Sequence, residues 1–128
     1  MNSQAQIYGG DSFIRMPTTS LYNTEIMDMH IRALAETAAR RKENYYHYSD
    51  MAFEAYNNEQ WSHVIYYVNM ALSTNYYNGQ LYYLRGYANE QLGKTRAAKK
   101  DYKTGKKYGY QEAEQALESL KDRSKRKK

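Results

Sequence analysis

The sequence predicts an all-α chain, on three observations. Breakers are scarce, with one Pro and seven Gly in 128 residues, which disfavours the many turns of a sandwich or barrel. Every patterned stretch from Asn23 to Leu120 sets its apolar residues three or four apart, the helical spacing. The chain also aligns with itself at an offset of 34 residues, the mark of a structural repeat. At this length one compact domain is expected, and 41% hydrophobic residues supply a core. No run of apolar residues is long enough to span a membrane.

Residues 1–22 read as an extended N-terminal arm. Tyr8-Gly9-Gly10-Asp11 and Met16-Pro17-Thr18-Thr19-Ser20 are turn-rich and unpatterned. Gly9-Gly10 is no phosphate loop, since no Lys-Ser/Thr follows it. Ser3-Gln4-Ala5 before Gln6 sets small residues two apart, as a signal-peptidase site requires. The tripeptide is compatible with export before Gln6 and with a cytoplasmic location alike.

A first helix is expected over residues 23–44. Asn23 or Thr24 can cap it, and Glu25 sits where the helix dipole favours an anion. Met27, Ile31, Leu34 and Ala38 fall on one face, and Arg40-Arg41-Lys42 gather near the far end. No Gly or Pro separates this stretch from Tyr45-Tyr46-His47-Tyr48, so the helix either runs on or kinks near Glu43-Asn44.

The repeat occupies residues 45–112, as units 45–78 and 79–112. Offset by 34, Tyr48 falls on Tyr82, Ala52 on Gly86, Val68 on Tyr102, Ala71 on Gly105 and Tyr76 on Tyr110. Each unit has a first helix with a small residue, Ala52 or Gly86. A polar turn follows, Asn57-Asn58-Glu59-Gln60 or Leu92-Gly93-Lys94-Thr95. The second helix presents a short residue (Val64, Ala98), a bulky one (Val68, Tyr102) and a small one (Ala71, Gly105). Small residues let antiparallel helices approach, and bulky ones fill the space between pairs. Residues 113–128 give a capping helix, with Ala113, Ala116, Leu117 and Leu120 on one face, followed by a basic tail from Lys121.

These two units resemble the tetratricopeptide repeat family. The second is the better match, through Tyr82-Tyr83-Leu84-Arg85-Gly86-Tyr87-Ala88, Leu92-Gly93 and Ala97-Ala98-Lys99-Lys100-Asp101-Tyr102-Lys103. The family's Pro after the second helix is replaced by Tyr76 and Tyr110. The resemblance implies a helical-hairpin solenoid, flanked here by the N-terminal helix and the capping helix. It also implies a non-catalytic scaffold that binds a peptide or partner protein in a concave groove lined by each unit's first helix. Carried over by register, the groove positions are Tyr46, Ser49, Phe53, Tyr56 and Asn57, then Gln80, Tyr83, Tyr87, Glu90 and Gln91. The six chosen as the partner-binding site are Tyr46, Phe53, Tyr56, Tyr83, Tyr87 and Glu90. Rings on rigid helices give large contact area at low entropy cost. Some family members clamp a chaperone's C-terminal carboxylate with Lys, Asn and Arg. The corresponding places here hold Tyr46, Ser49, Asp50, Phe53, Gln80 and Leu84, so that clamp is missing. Ile7, Tyr8, Phe13 and Ile14 of the arm are candidate groove occupants, in cis or from a second chain in a homo-oligomer.

Charge supplies the alternative reading. Residues 1–93 carry a net charge of −3 and residues 94–128 carry +8. Arg96, Lys99, Lys103 and Lys107 recur at helical spacing as a basic face that can meet phosphates. Tyr102, Tyr108 and Tyr110 lie nearby for base stacking. No RNA-binding motif accompanies them, and Tyr102 falls at a core position of the repeat, so nucleic-acid association ranks second to protein binding. Catalysis finds no constellation. There is no Cys, and His30, His47 and His63 lack metal-ligand spacing. Glu112 and Glu114 are two apart on a helix and face different ways. No enzyme activity, metal or cofactor is expected.

Overall fold

The computed structural model describes the backbone of residues 17–126 and the side chains of residues 23–126. The signal-peptidase-like tripeptide and the apolar arm residues Ile7, Tyr8, Phe13 and Ile14 lie outside the described residues. Among the described residues there are five helices and no strand: α1 (Pro17–Asn57), α2 (Trp61–Leu72), α3 (Gly79–Gln91), α4 (Thr95–Lys107) and α5 (Gln111–Arg126). The chain divides into two units, Met1–Arg40 and Arg41–Lys128.

Two boundaries differ from the sequence reading. The helix begins at Pro17, inside the stretch read as arm, and residues 23–44 are not a separate helix. Pro at the first helical position lacks only an N–H that would be unpaired anyway, and its fixed φ suits the helix. No Gly or Pro then occurs until Gly79, so nothing stops α1 at Glu43-Asn44. The second difference is at the other end. Residues 121–126, read as the start of a tail, continue α5. Lys and Arg are good helix formers, and Arg123, Lys125 and Arg126 sit in the last turn, where the dipole favours cations.

In the first unit, residues 27–40 of α1 are exposed throughout. Met27, Met29, Ile31 and Leu34 are each more than half exposed.

The second unit holds two apolar clusters. The first joins Tyr45, Ala52 and Ala55 of α1 to Val64, Val68 and Ala71 of α2 and Leu81, Leu84 and Ala88 of α3. The second joins Ala98 and Tyr102 of α4 to Leu117 and Leu120 of α5. Tyr83 packs against both. Each fully buried large apolar side chain contributes about 1.5–3 kcal/mol.

The 34-residue period reappears in the backbone. Glu59 and Gly93 have φ of 56° and 79°, and Asn75 and Gly109 have 69° and 84°. At the end of α1, Gln60 N–H donates to Ala55 C=O at 2.9 Å. At the end of α3, Lys94 N–H donates to Asn89 C=O at 2.8 Å. Both ends close by the same left-handed cap, the Schellman arrangement. Burial repeats too: Ala52 and Gly86, Val64 and Ala98, Val68 and Tyr102, Ala71 and Gly105 are all buried. The polar turns of the two units are thus one structure written with different residues. Glu59 occupies a left-handed position that glycine fills at residue 93, with a Cβ penalty of roughly 1 kcal/mol. Glu59→Gly is therefore expected to raise the midpoint of chemical denaturation with an unchanged slope, a gain of up to about 1 kcal/mol.

Helices α3, α4 and α5 approach one another closely at glycines. A Cβ on Gly86 would lie 2.8 Å from two ring carbons of Tyr102, and one on Gly105 would lie 2.8 Å from Ala113 Cβ. Helix α3 starts at a capping Asn78, whose side chain accepts from Gln80 N–H at 2.7 Å.

Candidate functional site

Tyrosine rings gather where the ends of α1 and α3 meet the start of α2. Tyr56 is the next-to-last residue of α1, Trp61 opens α2, and Tyr87 lies on α3. Their three rings are mutually edge-on, with centroids 6.0, 5.4 and 5.5 Å apart. Tyr83, one turn before Tyr87, extends the group. Its ring centroid is 6.2 Å from Tyr87, 5.9 Å from Tyr102 and 5.5 Å from Tyr110. Such ring pairs add about 0.5–1.5 kcal/mol beyond their area. Tyr102 is fully buried. Tyr56, Trp61, Tyr83, Tyr87 and Tyr110 are only half-buried, so the cluster presents aromatic surface to solvent.

The six predicted site residues separate accordingly. Tyr56, Tyr83 and Tyr87 share the ring cluster. Tyr46 is exposed and touches Tyr45 edge-on at 5.4 Å, and Tyr45 in turn meets Tyr76. Phe53 is half-buried against the first apolar cluster. The carboxylate of Glu90 is already engaged: Tyr102 donates its hydroxyl to Oε1 at 2.6 Å, and Arg123 of α5 pairs with Oε2. Glu90 therefore ties α3 to α4 and α5. Among the wider register positions, Ser49 is buried and its hydroxyl has no partner; it does not line an open surface.

The sequence reading gives Trp61 no site role and places Tyr110 only near the basic face, yet both belong to the ring cluster. The repeat held a signal for Tyr110. It stands 34 residues after Tyr76, which leans on Tyr45, and the place corresponding to Tyr45 is Gly79. With no side chain there, Tyr110 Cβ comes within 2.9 Å of where a Gly79 Cβ would be, and its ring reaches Tyr83.

A second ring group has no precedent in the sequence reading. Tyr77, Tyr108 and Tyr82 stack nearly parallel, at interplanar angles of 11° and 7°. The Arg85 guanidinium lies 5.5 Å from the Tyr82 ring centroid. Arg85 also spans three helices. Its Nε and Nη2 donate to Asp101 on α4 at 3.0 and 2.8 Å, and its Nη1 donates to Asn69 on α2 at 2.8 Å. Asn89 adds a bond to Asp101 at 3.2 Å.

The basic residues Arg96, Lys99, Lys103 and Lys107 are all exposed. None of them has an ion-pair partner among the described residues. Arg96 and Lys99 join Thr95, Leu120, Lys121 and Ser124 around an open cleft of about 340 Å³ between α4 and α5. Among the described residues no three His, Asp or Glu side chains are grouped to hold a metal ion. No helix among them is long and apolar enough to cross a membrane.

Burial raises the pKa values of the clustered phenols. The Tyr83 hydroxyl is pushed well above the usual value near 10, mainly by desolvation and also by the neighbouring Tyr56. Tyr102 is pushed higher still, by desolvation and by its bond to Glu90. Unfolded tyrosines lose their protons near pH 10, so above that pH the unfolded chain binds fewer protons than the folded one. The stability that comes from these neutral phenols is complete below pH 10 and is lost as pH rises beyond it. Thermal melts should show a midpoint that falls above pH 10. The tyrosinate absorbance of the native protein should then show a fraction that ionises only on unfolding.

Fold and site together define an all-helical protein of packed helical hairpins with a half-exposed tyrosine cluster. Comparison with protein-family models, with curated proteins and with solved structures returned no match.

Proposed function

We propose that the chain is a tetratricopeptide-like scaffold module that binds an extended peptide or a partner protein across the face formed by Tyr56, Tyr83 and Tyr87. The observation that carries this reading is the ring cluster itself. Rings from α1, α2 and α3 form a continuous group whose members remain half-exposed. An apolar surface of that kind, held rigid by helices, is what binding hot spots use. The 34-residue period of caps and buried positions supports the family reading. Tyr46, exposed on α1 and apart from the ring cluster, is a further candidate contact.

The test is a peptide-display selection on the folded chain, followed by affinity measurements on variants. Tyr87→Ala is expected to weaken the selected peptides about tenfold or more while the helical spectrum is kept. Tyr46→Ala, at an exposed site, should weaken binding less and leave the melting temperature unchanged. Ligands that bind Tyr87→Ala and Tyr56→Ala as well as the parent would remove the ring face from the reading.

The exposed, unpaired cations Arg96, Lys99, Lys103 and Lys107 favour a second reading, association with nucleic acid. Salt separates the two. Phosphate contacts make affinity fall steeply with ionic strength, whereas binding to rings is nearly insensitive.

A further inference from the structure

We infer that the exposed apolar face of α1 in the first unit is a self-association surface, and that two copies of this chain pair there in antiparallel orientation. Met27, Ile31, Leu34 and Ala38 recur at alternating spacings of four and three, the seam of a two-helix pair. These seam residues are largely exposed: Met27 is 61% exposed, Ile31 59% and Leu34 70%. Three large side chains in line make an apolar patch of a few hundred Å², a size that marks an interaction site on a soluble protein. Ala35 borders the seam and leaves room for a second helix to come close.

Charge identifies the occupant. Asp28 flanks the start of the seam beside Met27, and Arg41 takes the next seam position after Ala38 with Lys42 beside it, whereas Glu25, Arg32, Glu36 and Glu43 fall away from it. The seam is thus acidic at one end and basic at the other. Aligned antiparallel, each copy lays its acidic end along the basic end of the other. Aligned parallel, like charges meet at both ends, which is destabilising. The antiparallel alignment also sets the two helix dipoles head to tail. One isologous two-fold contact satisfies both helices at once. An interface of this size is at the small end of specific contacts, so the association is weak and reversible. It rests on residues other than those of the ring cluster, so it stands or falls independently of peptide binding.

Sedimentation equilibrium of the full chain over a wide concentration range tests the inference. The expected result is a monomer–dimer equilibrium. Leu34→Glu and Ile31→Glu, both at exposed positions, should keep the helical spectrum and raise the dissociation constant by at least about tenfold, because a buried unpaired carboxylate is costly. Asp28→Asn reports the orientation. It should weaken association by roughly two- to threefold if Asp28 faces the basic end of the second copy, and strengthen it if Asp28 faces another Asp28. A chain that stays monomeric at every concentration overturns the inference. So does a dimer that tolerates Leu34→Glu, or one that Asp28→Asn strengthens. A monomer in which Met27 resists oxidation also overturns it, since the face would then be covered within one chain.

Discussion

Gly86→Leu is expected to destabilise the protein by about 3 kcal/mol or more, toward the upper end of what overpacking costs. The Cβ alone would stand 2.8 Å from Cδ1 and Cε1 of Tyr102 and 3.1 Å from Asp101 Cβ. Tyr102 cannot yield. It is fully buried among Ala98, Leu117 and Leu120, and its hydroxyl is fixed on Glu90. Relief therefore requires α3 and α4 to separate, which opens the Arg85–Asp101 pair between them as well. Urea denaturation would show the loss directly. Gly86→Ala should be intermediate, since it adds the clashing atom and nothing beyond it. A Leu variant with the parent's midpoint would mean that α3 and α4 do not cross at residue 86.

Asp101→Ala should cost about 2–4 kcal/mol, by a different mechanism. Asp101 is buried on α4 and accepts from Arg85 twice and from Asn89 once. Removing the carboxylate strands the guanidinium beside the Tyr82 ring and leaves the buried Asn89 amide without its acceptor. Breaking one side of a buried pair costs more than the pair contributes. The cost stays below that of a fully buried lone charge because Arg85 keeps its bond to Asn69 and is partly exposed. Asp101→Asn should lose less, since an amide oxygen still accepts from one donor. The effect should hardly depend on salt, because the pair is largely shielded from solvent.

These two sites also show what the sequence could and could not reveal. The period of 34 and the small residues at Ala52, Gly86, Ala98 and Gly105 were legible, because close helix packing restricts size locally and the restriction recurs. The fully buried Tyr102 was legible for the same reason, as the counterpart of Val68. The course of α1 was not legible. A helix that meets no breaker has no local reason to stop at a chosen residue, and Pro17 reads equally as part of a turn or as a helix start. The fate of Glu90 was not legible either. Its partner Arg123 is 33 residues away, on a helix that the repeat pattern does not cover. Ring positions gave the right helices for Tyr56, Tyr83 and Tyr87 but not their neighbours. A ring's contacts depend on side chains from other elements, such as Trp61 from α2 and Tyr110 from beyond α4. The Tyr77–Tyr108–Tyr82 stack escaped for that reason, because two of its members lie in connections between helices.

The central claim is that the tyrosine face between α1 and α3 is the binding surface. Chemical-shift mapping of the isotope-labelled chain, titrated with a peptide selected against it, tests this most directly. The largest shifts are expected on Tyr56, Tyr83 and Tyr87, with smaller ones at Tyr46 and Phe53, and the aromatic resonances should move with the same affinity as the amides. Shifts confined to Arg96, Lys99, Lys103 and Lys107, with the tyrosine resonances unmoved, would contradict it.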